Sequence, residues 1–255
     1  MSWCGRDRIV LGVDFGTTFT GCAFTYSGIP EPADEIAVVK KYAFQTVLAK
    51  NKLTNGSWPG ANNVSSEKVP SELAYVPASD DFEIVNPSSS DTFELRWGLE
   101  LKPEQPRLRC LKLRLDPRQK LPHYVSEQDI NNYLLTCGKT TEKAIADYLS
   151  AVFSHAKGVM VNRFGQQMMA STPLEVVLTV PAIWTDAAKD ATLRVAKKAG
   201  MGNNIHMISE PEAAAIYALK SMDQETKILA EGDNFIVCDA GGGMYFVVPI
   251  VQKTY

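Results

Sequence analysis

The sequence RIVLGVDFGTTFTGCAFTY, residues 8–26, decides the fold. Residues 8–15 form a short apolar run rich in branched side chains, and Gly16 ends this run. Such a pattern is typical of a buried strand. Residues 19–26 repeat the strand character. The two runs therefore predict a β-hairpin whose turn is the Gly-Thr-Thr between them.

A second segment, near the end of the chain, has the same design. Residues 234–239 form a strand-like run that ends in an aspartate, and three glycines follow at 241–243. A glycine turn lets backbone N–H groups approach phosphate oxygens, because no side chain stands in the way. An aspartate at the strand end, here Asp14 or Asp239, can hold the water shell of a magnesium ion. Either segment alone is more often an ordinary surface turn, but the two together predict a phosphate site, and neither matches the P-loop or the dinucleotide-binding fingerprint.

Strands alternate with helices between these two segments. Apolar residues at three-and-four spacing predict one long helix over residues 126–158, with Ser126 as its N-cap. The other predicted elements are a strand near residues 35–44, strands at 175–180 and 205–208, a helix from Asp186 to about Ala199 that Thr185 caps, and a helix from Pro211 to about Met222. This order favours an α/β fold with a mixed sheet.

Residues 51–92 differ from the rest of the chain. They are polar, with clusters of Asn, Ser, Pro and Gly, and only residues 72–76 have strand character. This composition indicates an inserted, loop-rich subdomain. We therefore predict that residues 1–45 and 125–230 fold together, with 46–124 as a smaller appended subdomain.

The composition argues against several classes of function. Hydrophobic residues make up 45% of the chain and charged residues 22%, and the net charge of −3 gives no basic field for nucleic acid. No apolar run approaches the roughly 20 residues of a membrane helix, and the N-terminus lacks a secretory signature. The five cysteines are scattered and the three histidines lack ligand spacing, so we expect neither a disulfide framework nor a zinc site. A cytoplasmic protein that contacts neither nucleic acid nor membrane is expected.

Ordered motifs along the chain resemble the 70-kilodalton heat-shock chaperone (Hsp70) family. The residues that carry the resemblance are V-D-F-G-T-T at 13–18, V-P-S at 69–71, V-L-T-V-P-A at 177–182, the alanine-containing helix that ends at Gly200, and I-S-E-P-E-A-A-A at 208–215. They are similar to the family's I-D-L-G-T-T, T-P-S, V-T-V-P-A, A-G and I-N-E-P-T-A-A-A segments, in the same order. The matches span residues 9–243, and residues 97–117 look more like the divergent branch of the family.

The resemblance implies the actin-like ATPase fold, with two ribonuclease H-like lobes and ATP or ADP with Mg²⁺ in the cleft between them. Residues 1–45 and 125–230 would form the ribonuclease H-like core of lobe I, 46–124 an inserted α+β subdomain, and 231–255 the first strands of an incomplete second lobe. The implied activity is magnesium-dependent ATP hydrolysis coupled to protein folding. The implied partners are nucleotide and, beyond it, co-chaperones or client proteins.

The resemblance also implies roles for individual residues. These are Gly16, Thr17, Thr18 and Phe19, which would wrap the phosphates; Gly241, Gly242 and Gly243, which would grip them from the opposing lobe; Asp14 and Asp239, which would sit in the magnesium water shell; Glu210, which would orient or deprotonate the attacking water; and Lys112, which would contact the terminal phosphate. Phosphoryl transfer needs mainly positioning and charge neutralisation, so this set is chemically sufficient in outline. However, Glu210 also has a structural interpretation, because the helix dipole favours an acidic residue in the first turn of a helix whether or not that residue is catalytic. A solvated lysine is likewise the alternative interpretation of Lys112.

The chain departs from the family pattern after the second glycine run. Met244 and Phe246 stand where the family has a threonine and an aspartate, and the sequence stops at Tyr255. We therefore expect a truncated chain without its second lobe, with the strand at 234–239 as an unpaired edge and with impaired ATPase activity. Because the resemblance ends abruptly after Gly243, one hypothesis is that the tail is translated intron in a mis-spliced product. The alternative is a truncated paralogue whose tail has drifted.

Two other functions stay open. The chain could be a non-catalytic lobe that acts only through protein contacts. A sugar or glycerol kinase of the same superfold would share the D-x-G-T-T design, but residues 208–215 look like the chaperone branch. Titration with ATP and magnesium separates the ATPase from the non-catalytic lobe, and substrate-stimulated turnover would reveal a kinase.

Overall fold

The structure, a computed structural model, describes residues 7–28, 37–38, 58–61, 66–77, 93–221, 234–241 and 245–251. Its strands are β1 (Ile9–Phe15), β2 (Phe19–Tyr26), β3 (Ala37–Val38), β4 (Lys68–Pro70), β5 (Leu73–Pro77), β6 (Phe93–Trp97), β7 (Leu174–Val180), β8 (Ile205–Ser209), β9 (Asn234–Ala240) and β10 (Tyr245–Val251). Its α-helices are α1 (Glu127–Thr136), α2 (Thr141–Phe164), α3 (Gln166–Ser171), α4 (Asp186–Lys198) and α5 (Glu210–Ser221), and 3-10 helices lie at Gly98–Glu100 and Leu111–Leu115. Strands and helices alternate in the second half of the chain, which confirms the predicted α/β class.

The main sheet has the strand order β3-β2-β1-β7-β8, and β4 also pairs with β2. Strands β1 and β2 are antiparallel, with Phe15 opposite Thr20, which confirms the predicted hairpin. Strands β1, β7 and β8 run parallel, so their carboxyl ends meet at one edge of the sheet. Gly16, Pro181 and Glu210 follow the three strands at this edge. Ligands of open α/β sheets bind outside the carboxyl ends of the strands, so this edge is where a site is expected.

One face of the sheet is packed against α2. Every second residue of β1, from Ile9 to Phe15, is at most 2% exposed, because successive side chains of a strand point to opposite faces. These residues share one apolar cluster with Leu149 and other side chains of α2 and α4. Full burial of each large apolar side chain stabilises the fold by about 1.5–3 kcal/mol. The opposite face of β1, which carries Gly12 and Asp14, is left to line a cavity.

The prediction of a single helix over residues 126–158 is wrong. The structure has two helices, α1 and α2, and Gly138 between them has a positive φ of 62°. The Thr140 side chain then accepts a hydrogen bond from the Lys143 N–H (3.2 Å) and begins the second helix. The apolar spacing continues across this break, and that continuity produced the error. The predicted N-cap is confirmed, since Ser126 accepts a hydrogen bond from the Asp129 N–H.

The predicted elements that follow are confirmed. Strands β7 and β8 and helices α4 and α5 lie within two residues of the predicted bounds, as far as the structure describes them. Thr185 caps α4 by accepting a hydrogen bond from the Ala188 N–H (3.2 Å), and Gly200 follows the helix with a φ of 84°. Trp184, which precedes the cap of this helix, is buried at 3% exposure.

The segments outside this core are described only in part. Of the strand predicted near residues 35–44, the structure describes β3 alone, and much of 51–92 lies outside the described residues. Within that segment, β4 joins the main sheet beside β2, whereas β5 pairs with β6 in a separate two-stranded sheet. The division into subdomains stays a prediction.

The expectation that the strand at 234–239 is an unpaired edge is wrong. Strand β9 pairs with β10 in antiparallel register over its full length, from Asn234 opposite Val251 to Ala240 opposite Tyr245. The reason lies in residues 245–251, YFVVPIV, which are almost entirely β-branched or aromatic and therefore suited to a strand.

The described helices include none with both the length and the apolar character needed to cross a membrane.

Candidate functional site

The turn between β1 and β2 depends on a glycine. The Gly16 N–H donates a hydrogen bond to the Phe19 carbonyl oxygen (3.1 Å). A Cβ atom at Gly16 would lie 2.2 Å from that oxygen, which is far inside van der Waals contact. Any other residue must therefore distort the turn. Thr17 and Thr18 are half-buried at its tip, and the Phe19 side chain is 51% exposed.

Ser71 fastens this turn to the neighbouring strand. Its backbone N–H donates to the Thr18 carbonyl (2.8 Å), and its hydroxyl donates to the Gly16 carbonyl (2.8 Å). The hydroxyls of Ser71 and the fully buried Thr20 also lie 2.8 Å apart. Two carbonyls of the turn are thus held by hydrogen bonds from Ser71. Ser71 belongs to the V-P-S motif, but the sequence analysis assigned it no role.

Asp14 lies on the cavity face of β1 with both carboxylate oxygens engaged. The Thr179 hydroxyl donates to Oδ1 (2.8 Å), and the Lys68 ammonium donates to Oδ2 (2.7 Å). Burial by itself raises the pKa of Asp14, but the hydrogen bond and charge of Lys68, the Thr179 hydroxyl and the charge of Lys112 together hold it below its usual range. Asp14 is therefore an ionised carboxylate at neutral pH. Neither Lys68 nor Thr179 was singled out from the sequence.

Lys112 and Glu210 form a buried ion pair at the same edge of the sheet. The Lys112 ammonium donates a hydrogen bond to Glu210 Oε1, and the two side chains are 2% and 14% exposed. The interpretation of Lys112 as a solvated lysine is therefore wrong. Lys112 Nζ also lies 5.9 Å from the centre of the Phe15 ring and 5.5 Å from that of Trp184. These aromatic faces stabilise a desolvated cation.

A cavity of about 660 Å³ brings several of these groups together. Asp14, Lys68, Thr179 and Glu210 all line it. Asp14, from the first strand, and Glu210, from the start of α5, therefore line the same cavity. The turn residues Thr17–Phe19 line a second cavity, of about 400 Å³, together with two arginines and Cys110.

The second predicted phosphate loop is described only in part. Gly241 is exposed after β9, while Gly242, Gly243 and the Asp239 side chain lie outside what the structure describes. The backbone of Asp239 lies opposite Phe246 in the β9–β10 pair. The contact between Gly241–Gly243 and the nucleotide phosphates therefore stays a prediction.

The donors around Asp14 differ from those of a metal-ion site. In the part of the chain that the structure describes, no group of three or more His, Cys, Asp and Glu side chains could hold a metal. Magnesium commonly keeps its waters and needs only one or two carboxylates plus substrate phosphates. Asp14 has the right charge for that role, but its Oδ2 already has a cation, Lys68, at 2.7 Å. The site as it stands therefore does not fit a magnesium ion at that oxygen.

The fold and the site define a class of protein. A mixed sheet with helices, a glycine hairpin turn, and acidic groups at the carboxyl ends of β1 and β8 together form one lobe of an actin-like ATPase. A family model described as "Hsp70 protein" matches residues 118–252, which is more than half of the 255-residue chain. The chain therefore belongs to the Hsp70 family, and family membership indicates an ATP-binding domain of the chaperone type.

Similar proteins agree with this assignment. Heat shock 70 kDa protein 12B of Homo sapiens is 25% identical over 228 residues, which cover 83% of this chain and 28% of that protein. A chaperone protein HscA homolog of Actinobacillus pleuropneumoniae serotype 5b (strain L20) is 34% identical over 126 residues, 49% of this chain and 18% of that protein. The chaperone protein dnaK of Phaeodactylum tricornutum (strain CCAP 1055/1) is 30% identical over 131 residues, 51% of this chain and 19% of that protein. The chain thus spans less than a third of the length of these relatives.

Proposed function

We propose that this chain is a nucleotide-binding lobe that holds the phosphates of ATP or ADP on the turn at residues 16–19. The observation that carries the proposal is the cavity that Asp14 and Glu210 both line, at the carboxyl ends of β1 and β8, the two parallel strands on either side of β7. Glu210 is paired there with the buried Lys112, and the turn follows directly after the end of β1. A carboxylate that can orient the attacking water and a buried cation that can neutralise charge are groups that serve phosphoryl transfer.

The turn supplies the phosphate contacts in this proposal. Gly16 allows the tight turn, because its N–H is bonded to the Phe19 carbonyl and no side chain would fit beside that oxygen. The donors to phosphate would be the backbone N–H groups of residues 17–19 and the hydroxyls of Thr17 and Thr18. Ser71 holds the turn carbonyls, so the turn is preorganised and does not have to order itself on binding. Gly241–Gly243 would approach the phosphates from the opposite side, as the resemblance implies.

Glu210 and Lys112 would support the chemical step. Glu210 lines the cavity, and its carboxylate accepts a hydrogen bond from the buried Lys112 ammonium. A bound terminal phosphate offers Lys112 a more highly charged anion than Glu210 does. Lys112 would then neutralise the phosphate, and Glu210 would orient the attacking water and accept its proton.

Magnesium accompanies nucleotide generally in the Hsp70 family. Asp14 and Asp239 are the proposed carboxylates for its water shell. At Asp14 the Lys68 ammonium already donates to one carboxylate oxygen at 2.7 Å, so the ion and Lys68 would compete for the charge of this carboxylate.

The wider roles of the relatives are also proposals for this chain. The relatives named above include proteins called chaperones, and we propose that ATP hydrolysis here serves protein folding, with co-chaperones or client proteins as partners. We also propose a cytoplasmic location, and the ribonuclease H-like core at 1–45 and 125–230, the insert at 46–124 and the start of a second lobe at 231–255 as the domain division.

Calorimetric titration of the purified chain with ATP and MgCl₂ tests the proposal. We expect saturable binding that weakens by about tenfold in Thr18→Ala, since one hydrogen bond to a charged oxygen is worth roughly 1.5–3 kcal/mol. The control is Thr136→Ala, because the Thr136 hydroxyl is bonded only within α1, to the Asn132 carbonyl (3.0 Å), away from the cavity. Absence of binding in the folded wild type would refute the proposal and favour a lobe that acts only through protein contacts.

A further inference from the structure

Asp14, Gly21 and Lys68 lie in a row across three neighbouring strands. Asp14 is opposite Gly21 in the β1–β2 pair, and Gly21 is opposite Lys68 in the β2–β4 pair. The Lys68 side chain crosses Gly21 to reach Asp14, and a Cβ atom at Gly21 would lie 3.2 Å from Lys68 Cγ. The absence of a side chain at position 21 therefore leaves the groove in which the lysine lies.

This row places a positive charge against one oxygen of the Asp14 carboxylate. Lys68 Nζ is 2.7 Å from Asp14 Oδ2, which is the distance of a charge-assisted hydrogen bond. Oδ1 accepts the Thr179 hydroxyl, so the carboxylate is satisfied by protein groups alone. Lys68 remains 53% exposed on its side chain, which lets its ammonium face both Asp14 and a ligand in the cavity.

The other charged groups on this cavity do not replace Lys68. Glu67 and Glu210 also line the cavity and add negative charge. Lys112 is engaged by Glu210 and is buried at 2% exposure. If Lys68 is removed, a phosphate that enters next to Asp14 meets a carboxylate that has lost its hydrogen-bonded cation and keeps only the Thr179 hydroxyl and the more distant charge of Lys112.

We propose that Lys68 is the resident counter-cation of Asp14 and takes over the charge neutralisation that magnesium would otherwise supply when nucleotide phosphates bind. This inference rests on the proposed nucleotide binding. Its consequence is that ATP and ADP bind to this chain with little dependence on magnesium. Without the lysine, Asp14 repels the phosphates, and a divalent cation becomes necessary to bridge them.

The test is a set of ATP titrations of the full chain, in excess MgCl₂ and in excess EDTA. Removal of magnesium should change the wild-type Kd by less than about threefold, and the Kd of Lys68→Met by at least about tenfold. Lys198→Met is the matched control and should respond as the wild type does. Lys198 pairs with Glu142 on the surface at 2.6 Å with side-chain exposures of 55% and 38%, against 53% and 38% for Lys68 and Asp14.

Three results overturn the inference. The first is a wild type whose binding weakens by about tenfold or more in EDTA, and the second is a Lys68→Met variant that responds to EDTA as the wild type does. The wild-type pair of titrations decides the matter even where the variant does not fold. The third is a folded wild type that binds no ATP in either buffer, which also refutes the proposed function. The first two results leave that function standing, so the two failures are distinguishable.

Discussion

The Lys112–Glu210 ion pair leads to a directional prediction about stability. Lys112 is 2% exposed, whereas Glu210 is 14% exposed and lines the cavity. Removal of Glu210 leaves an ammonium ion in the core without its partner. Removal of Lys112 leaves a carboxylate that water can reach. The two halves of one pair should therefore differ in what their loss costs.

The magnitudes follow from this difference in burial. Breaking a buried pair so that a charge stays buried costs about 3–5 kcal/mol, so Glu210→Ala should lower the free energy of unfolding by about 3 kcal/mol. Lys112→Met should cost about 1 kcal/mol or less, because methionine keeps the volume of the stem and packs against Phe15 and Trp184. Urea unfolding followed by far-UV circular dichroism measures both. For an m value of about 2 kcal/mol/M, the two midpoints should differ by roughly 1 M.

The control is an exposed pair of similar geometry. Glu94 and Arg96 are joined at 2.8 Å with side-chain exposures of 55% and 44%. Glu94→Ala should change the free energy of unfolding by at most about 0.5 kcal/mol, because solvent screens such pairs. A Lys112→Met variant that loses as much stability as Glu210→Ala, or more, would refute the reasoning from burial.

Two further predictions concern the turn at residues 16–19 and the stability of the fold at low pH. Gly16→Ala should destabilise the chain by about 1–3 kcal/mol, since its Cβ would lie 2.2 Å from the Phe19 carbonyl oxygen, whereas Gly158→Ala, in α2 with no atom near its Cβ, should stabilise it by about 0.5–1 kcal/mol. Equal melting temperatures of the two variants would contradict this. Hydrogen bonds from Arg118 and Gln119, opposed by burial, lower the pKa of Asp116 from 3.8 to about 2, so its stabilising contribution is complete above pH 3.8 and is lost as the pH falls towards 2. Asp116→Asn should flatten the fall in melting temperature over that range, and an unchanged fall would count against it.

The local parts of the fold could be predicted from the sequence. The β1–β2 hairpin follows from two branched apolar runs and the glycine between them, and α4 follows from Thr185 before the helix and Gly200 after it. The break at Gly138 was missed because apolar residues keep their spacing across it, although the threonine at position 140 is a good N-cap. Periodicity reports the buried face of a helix, and it does not report whether the backbone is continuous.

The site could be predicted only in part, for a physical reason. Asp14 and Glu210 end strands or begin helices, and such positions are visible in a sequence. Lys68 reaches Asp14 only because strand pairing places it opposite Gly21. Thr179 donates a hydrogen bond to Asp14 although the two residues are 165 positions apart in the sequence. Strand register is a property of the assembled sheet, because it depends on pairing between segments distant in the chain. The burial of Lys112 likewise depends on the assembled fold, because Phe15 and Trp184 come from distant parts of the chain to cover it. This burial distinguishes the ion-paired lysine from a solvated one.

A crystal structure of the chain with ADP is the most direct test of the central claim. The account predicts the phosphates within hydrogen-bond distance of the backbone N–H groups of residues 17–19, with Asp14 and Glu210 lining the same space and Lys68 still bonded to Asp14. A nucleotide whose phosphates lie away from Asp14 and Glu210, for example in the second cavity beside Arg107 and Cys110, would contradict it.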